Sequence, residues 1–205
     1  MIDTRKIKSE EKQRLLKEML DSKEFHSFFE WLMDREARVV HNDPRDPGKQ
    51  TAWGISRRYH PSWPGWKIID AGKEDRATLE PLVKDFYANF LFRWWVLLEG
   101  PLRFAFCDAV VNMGLGRTGD KNLDAGELLQ MSMNRLAQRN YLVVDGDIGN
   151  NTIAALRTEN HTAIAYTMIG LRLIEYRKRG KGSMAWAREG WLNRVELLEA
   201  FISNF

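Results

Sequence analysis

The segment FFEWLMDREARVVHNDPRDPGKQTAWGIS, residues 28–56, changes character halfway along. Its first part carries apolar residues at helical steps, Phe29, Leu32 and Met33, and closes on Glu36. Two X-Pro steps in NDPRDPG then push the residues ahead of them away from helical backbone, and a glycine closes the turn. TAWGISRRY, which follows, reads as a short strand or hairpin arm. A helix that only packs a core has no use for a rigid loop at its end, whereas loops held on a rigid scaffold commonly carry function. Glu36 comes after Phe29, Leu32 and Met33 at helical spacings, so it shares or borders their apolar side. Apolar neighbours strip hydration from a carboxylate and favour its protonated, proton-donating form. The competing reading is an ion pair with Arg35 or Arg38 on an exposed turn.

Outward from this segment the chain is helical on both sides. From Glu10 to Asp34 the apolar pattern breaks only near Asp21 to Lys23, where DSKE resembles a cap followed by an acid. HPSWPGW reads as a second rigid, aromatic loop, and helix resumes after Gly72. DRATLEPLVKDFYANFLFRWW forms one or two helices, and PLRFAFCDAVVNMG starts on a proline suited to a first helical turn. NLDAGELLQMSMNRLAQRN, HTAIAYTMIGLRLIEYRKRG and SMAWAREGWLNRVELLEAFISNF are further helices. VDGDIGNNT reads first as a DG turn with Asn150 or Asn151 capping the next helix, and second as a glycan contact. Tyr87, Phe90, Trp94 and Trp95 are spaced for core packing, with one of the tryptophans expected to reach a cleft, where sugar faces stack on aromatic rings.

A chain of 205 residues, 44% hydrophobic and 29% charged, is long enough to bury a core without a disulfide or structural metal. Its single cysteine, Cys107, excludes an internal disulfide and cysteine-cluster metal sites, and its helical apolar setting reads as a buried, inert thiol. The four histidines lack metal-binding spacing, no GxSxG elbow is present, and GLGRTG reads as a helix-linking turn rather than a phosphate cradle. No cofactor or metal is therefore expected. A net charge of +3 permits a polyanionic partner without demanding one. The two basic concentrations, SRRYH and EYRKRGKG, join no nucleic-acid module, so no nucleic-acid partner is expected. The charged N-terminus has no apolar h-region and no window approaches a membrane span, so neither a signal peptide nor stable membrane insertion is expected.

Asp43 and Asp46 each precede a proline in the loop after Glu36, where either can cap its own backbone as a turn-forming residue. A carboxylate held across a cleft from a protonated glutamate would also supply the second charge that glycoside hydrolysis needs. Thr51 has a hydroxyl that could orient a water there.

The run Glu36, Asn42, Asp43, Pro44, Asp46, Pro47, Gly48, Thr51, Gly54 and Ile55 resembles the hallmark of glycoside hydrolase family 108, the bacterial and phage N-acetylmuramidases. The resemblance continues through Trp95, FAFCDAVVNMGLGRT with Asp108, Asn112 and Gly114, LLQ at 128–130, VDGDIGNNTIAAL and GWLNRV, from about residue 25 to 198. VDGDIGNNTIAAL is similar to a peptidoglycan-binding motif found within that family. Two positions depart: Ala37, Arg38 and Val39 stand where the family has Gly-Gly-aromatic, and Lys49 replaces the second glycine of its Asp-Pro-Gly-Gly turn.

The resemblance implies a mainly α, lysozyme-like α+β fold with a small β-hairpin region beside the catalytic helix. It implies an N-terminal helical extension over 1–24, a catalytic region over 25–135 and a helical C-terminal region over 136–205 packed in the same domain. The implied activity is cleavage of the β-1,4 bond between N-acetylmuramic acid and N-acetylglucosamine in peptidoglycan. Glu36 is the implied general acid, helped by Asp46, or else Asp43, and by Thr51, with substrate contacts at Asn42, Trp53, Trp95, Asp108 and Asn112. Alternatives are a lytic transglycosylase, or a wall-binding or assembly protein of weak or no turnover. The remaining expectations are a monomer made in the cytoplasm, released by holin-type pores or another signal-less route, and acting on peptidoglycan glycan strands in the periplasm or cell wall.

Overall fold

The computed structural model describes residues 7–42, 50–116 and 122–205. The described residues are mainly α-helical, with one small three-stranded antiparallel sheet. Two compact units divide the chain, one ending at Arg93 and one beginning at Trp94.

In the first unit, α1 (Ser9–Asp21) meets α2 (Lys23–Glu36) at Ser22. The Ser22 hydroxyl accepts from the Phe25 amide at 3.1 Å, satisfying one of the orphan N–H groups that open a helix. The cap is therefore Ser22, and the third helical residue is Phe25 rather than an acid: the hydroxyl's reach to an amide decides the junction. Phe25, Phe28, Phe29, Leu32 and Met33 are buried, so the apolar stripe read from the sequence is the face that packs. The sheet follows as β1 (Val40–Asn42), β2 (Gln50–Ala52) and β3 (Ile55–Ser56) in that order. His41 faces Thr51 in the first pairing, and Ala52 faces Ile55 in the second. Trp53 and Gly54 form the two-residue turn between β2 and β3, both at positive φ, 51° and 79°. That is the signature of a type I′ hairpin turn, whose twist matches the strands it joins.

HPSWPGW is not wholly loop: α3 (Gly65–Asp70) begins inside it. Six residues are too few to show helical periodicity, and the flanking prolines and glycine mask the start. Arg57 ties this helix to the hairpin, donating to Asp70 from both terminal nitrogens at 2.7 and 2.6 Å and to the Gln50 side chain at 2.7 Å. Next, α4 (Arg76–Leu97) is one continuous helix that contains Pro81. Its residues Leu79, Val83 and Tyr87 are buried in the first unit.

The second unit holds the end of α4, then α5 (Gly100–Met113), α6 (Ala125–Leu136), α7 (Asn150–Leu156), α8 (His161–Arg179) and α9 (Arg188–Ile202), with a 3₁₀ turn over Gly182–Ala187. Helix α8 packs against α5, α6 and α9, and so forms the centre of this unit. Its core includes Leu102, Phe106, Cys107, Leu129, Ile164, Met168, Val195 and Leu198. Burial pushes the Cys107 thiol pKa well up, which keeps it protonated and inert. Among the described residues no helix is long and apolar enough to cross a membrane. No three His, Cys, Asp or Glu side chains gather there in a way that could hold a metal ion.

Candidate active site

Helix α2 delivers Glu36 as its last residue, and the chain then reverses at Ala37, whose φ of 57° and ψ of 135° end the helix. The reversal returns Val39 toward the hairpin, where its carbonyl accepts from the Trp53 amide at 3.0 Å. The end of α2 and the Trp53–Gly54 turn are thus held together by backbone.

Against that turn lies the Glu36 side chain. A methyl group at Gly54 would stand 2.7 Å from Glu36 Oε2 and 2.9 Å from Glu36 Cγ, and 2.5 Å from the Tyr87 hydroxyl oxygen. The carboxylate therefore rests on the bare Cα of Gly54, and glycine is needed there twice over, for the close approach and for its positive φ. Carboxylate and phenol both reach the same point, so they are close neighbours. Tyr87 donates to the Trp53 carbonyl at 2.9 Å and fixes the turn from beneath. Glu36 as a whole is half-buried, with Oε1 shielded from solvent. The nearby arginines have other partners: Arg38 donates to Glu30 at 2.6 Å and to Asp34 at 2.9 Å. Arg35 lies over the Trp31 ring at 4.8 Å and donates to the Trp31 carbonyl at 3.0 Å.

The other residues singled out in the sequence fall into three groups. Asp43 and Asp46 lie outside the described residues. Thr51, Trp53 and Asn42 belong to the hairpin region beside Glu36, Thr51 and Trp53 buried and Asn42 exposed on β1. Trp95, Asp108 and Asn112 belong to the second unit. There Trp95 is buried with its ring 5.7 Å from that of Phe104 and with Arg103 over it at 5.1 Å. Asp108 is fully buried, accepting from Arg172 through one oxygen at 2.6 Å and from Arg194 through the other at 2.6 and 2.9 Å. Burial by itself would push this carboxyl up, but the guanidinium groups of Arg194 and Arg172 outweigh it and hold the pKa below the ordinary carboxylate value. Asn112 accepts from the Tyr176 hydroxyl, which in turn accepts from Arg172 at 2.9 and 3.0 Å.

The VDGDIGNNT turn is held by α6. Gln130, buried, accepts from the amides of Asp145 and Gly146 at 3.0 and 2.8 Å and donates to the Asp145 carboxylate at 2.8 Å and the Asp147 carbonyl at 3.0 Å. LLQ and VDGDIGNNT, two separate motifs in the sequence, are therefore one structural device. The cap of α7 is Gly149, and Asn150 and Asn151 are already helical, which corrects the capping expected of them. An open polar cleft of about 340 Å³ adjoins it, lined by Gln130, Tyr141, Asp145, Asp147, Asn150 and Thr152.

Tyr87 is the residue whose role the sequence reading missed. Its spacing assigns it to the core, and it is buried there, but the hydroxyl sits at the Glu36 site. The signal was the residue type, because a buried tyrosine needs a partner for its O–H where phenylalanine needs none.

Residues 29–114 match the family model described as Glycosyl hydrolase 108, which spans Glu36, the hairpin, α4 and α5. The later motifs, LLQ and VDGDIGNNT, lie beyond the matched segment. No curated protein sequence matches the chain. Among solved structures the chain is similar to one titled Structure of Brucella abortus SagA, with a TM-score of 0.64 and 22% identity. The similarity covers 89% of this chain and 95% of that one, and at this identity it is a likeness of fold.

Proposed function

We infer, for a chain that carries a glycosyl hydrolase 108 match across the Glu36 region, that it is a peptidoglycan hydrolase of the lysozyme type. The bond cleaved is the β-1,4 link between N-acetylmuramic acid and N-acetylglucosamine, and Glu36 is the general acid. The observation that carries this reading is the setting of the Glu36 carboxylate, half-buried at a helix end and seated on the Gly54 turn within the matched segment.

Glu36 protonates the glycosidic oxygen as the bond to the sugar breaks and an oxocarbenium-like centre develops. Its oxygens are placed by rigid elements: α2 sets the Cα, and the I′ turn with Tyr87 beneath it sets the wall the carboxylate lies on. Such positioning lets an acid act without first ordering itself. The second carboxylate is assigned to Asp46, or else Asp43, which either activates water or meets the sugar directly according to its separation from Glu36. Thr51, on β2 opposite His41, lies in the strand that leads away from that loop.

Replacing Glu36 by Gln keeps size and shape and removes the proton donor. The variant should fold as the wild type does and release no new reducing ends from purified peptidoglycan. Retained hydrolysis would remove Glu36 from the mechanism. Mass spectrometry of wild-type products gives hydrolysed muramic ends on this reading, whereas 1,6-anhydromuramic ends would replace it with a lytic transglycosylase.

A further inference from the structure

We propose that the loop joining α8 to α9 is a docking surface for an anionic phospholipid bilayer, with Trp186 and Met184 entering the headgroup layer and Arg177, Lys178, Lys181 and Arg188 meeting lipid phosphates. The proposal is independent of the hydrolytic reading, since every residue in it lies in the second unit, far along the chain from Glu36.

Trp186 is 80% exposed, although most of the other tryptophans, including Trp31, Trp53, Trp63, Trp66, Trp94 and Trp95, are buried. Met184 is exposed two residues before it, and Ile174 is exposed one helical turn ahead of Arg177 and Lys178 on α8. Exposing an indole to water forgoes the stabilisation its burial would give, so its position at a loop tip calls for a partner with apolar depth.

The loop is built to hold these side chains outward. Gly180 is buried against the stem of Arg188, where an added Cβ would stand 2.6 Å from Arg188 Cβ and Cγ. The two ends of the segment therefore touch. Ala187 is buried at the same base, and the Met184 amide donates to the Lys181 carbonyl at 3.2 Å inside the 3₁₀ turn. The result is a closed loop whose tip residues, Lys181, Met184 and Trp186, all face water.

The charge around the tip has one sign. From Arg177 to Arg188 there are five basic residues and no acid. Arg179 turns inward, donating to Glu175 at 2.8 Å and Asp124 at 3.1 Å, and serves the fold. The other four are exposed. Among the described residues the acids that pair with them are Glu175, 3.5 Å from Lys178, and Glu189, 3.5 Å from Arg188. Glu175 is already held by Arg179, and Glu189 is itself exposed, so the surface keeps a net positive charge.

Cations alone would suit any polyanion. Trp186 and Met184 beside the cations favour one polyanion over others: a sugar or base face could stack on the indole alone, whereas a bilayer interface accepts the indole at headgroup depth together with a second apolar side chain and attracts each nearby cation electrostatically. The chemistry at the tip fits a negatively charged lipid surface.

The test is co-sedimentation of the full-length protein with vesicles of phosphatidylcholine alone and of phosphatidylcholine mixed with phosphatidylglycerol, at low and high salt. Binding is expected to the mixed vesicles only and to weaken with salt. Lys181→Glu should reduce it by at least about fivefold, the effect of one surface cation. Trp186→Ala should reduce it by about tenfold or more, as loss of a buried indole implies. Both positions are exposed, so circular dichroism and melting should match the wild type. Peptidoglycan freed of lipid should be cleaved equally by both variants, which separates this outcome from any failure of the hydrolytic reading. Equal binding to neutral vesicles, or wild-type binding to mixed vesicles by Trp186→Ala, would overturn the proposal. Equal binding of wild type and Trp186→Ala to soluble polyphosphate, with no vesicle binding by either, would overturn it as well and leave a simple polyanion site.

Discussion

Replacing Ala37 by glycine should make the protein more stable, against the usual direction of such a change. Ala37 terminates α2 at φ 57° and ψ 135°, a conformation that an L side chain rarely adopts. Holding a non-glycine residue in a sparsely populated region costs about 1–3 kcal/mol. Removing the Cβ relieves that strain, while glycine's extra freedom in the unfolded chain returns about 0.4–1 kcal/mol of it. The net expectation is a gain of about 1 kcal/mol, within a span of roughly 0–2.6 kcal/mol from these two terms. For a chain of this length that is a rise in melting temperature of roughly 2–4 °C per kcal/mol. Ala37 is exposed, so no packing is lost with its methyl group.

Calorimetry with urea unfolding measures this, and hydrogen exchange at the end of α2 and in the hairpin locates it, since the chain's two units need not melt together. Ala37→Val provides the opposite arm. A β-branched residue suffers more at positive φ, so it should destabilise by more than glycine stabilises. Destabilisation of Ala37→Gly by more than about 0.5 kcal/mol, a surface substitution's usual ceiling, would refute the reasoning, because it would mean that Ala37 is unstrained where it stands. The Gly-Gly-aromatic run that stands after the acid in the family's hallmark then has a physical account at its first position: the reversal after the helix needs positive φ.

Gly54→Ala forces a methyl group into contacts of 2.5–2.9 Å with Tyr87 and Glu36 at a φ of 79°. It should cost about 1–2 kcal/mol from the backbone alone and lower peptidoglycan hydrolysis by about 100-fold as the carboxylate is displaced, measured by denaturant unfolding and by reducing-end release. Tyr87→Phe leaves the buried Trp53 carbonyl without its donor and should destabilise by about 1–3 kcal/mol in the same unfolding assay. Asp108→Asn leaves Arg172 and Arg194 buried without their anion and should cost about 3–5 kcal/mol. Because the folded pKa of Asp108 is depressed, its contribution is complete above the unfolded carboxyl value of about 3.9 and is lost as pH falls through its own lower value; the variant's acid-unfolding profile should lack that component.

What was legible in the sequence was local. The apolar stripe of α2, its end at Glu36, the hairpin in TAWGIS and the return to helix after Gly72 all follow from side-chain periodicity and turn chemistry within a few residues. The missed features were also local but short: α3 spans too few residues to show a period, and the caps at Ser22 and Gly149 turn on which group reaches an amide. Distance along the chain hid more. Asp108 reads as one acid on an apolar helix, and nothing near it announces Arg172 and Arg194, 64 and 86 residues later. Tyr87 reads as one aromatic among several, and its partner carbonyl lies 34 residues earlier.

The same separation hid the polar residues that fix the turns at 53–54 and 141–147. Gln130 holds residues 145–147 through four hydrogen bonds. Asn134, one turn further along the same helix, accepts from the amides of Tyr141 and Leu142 at 3.1 and 2.9 Å and donates to the Leu142 carbonyl at 2.8 Å. Tyr87 holds the Trp53–Gly54 turn in the other unit in the same manner. In each case a buried side chain on a helix supplies the partner that a loop's backbone would otherwise take from water. An apolar contact would tolerate a small slip of the loop, whereas a hydrogen bond to a named amide or carbonyl does not. For the turn under Glu36 this distinction matters chemically. The carboxylate takes its position from the backbone of Gly54, so the hydroxyl of Tyr87 reaches the proposed acid through the turn it fixes, and loosening that turn loosens the acid with it.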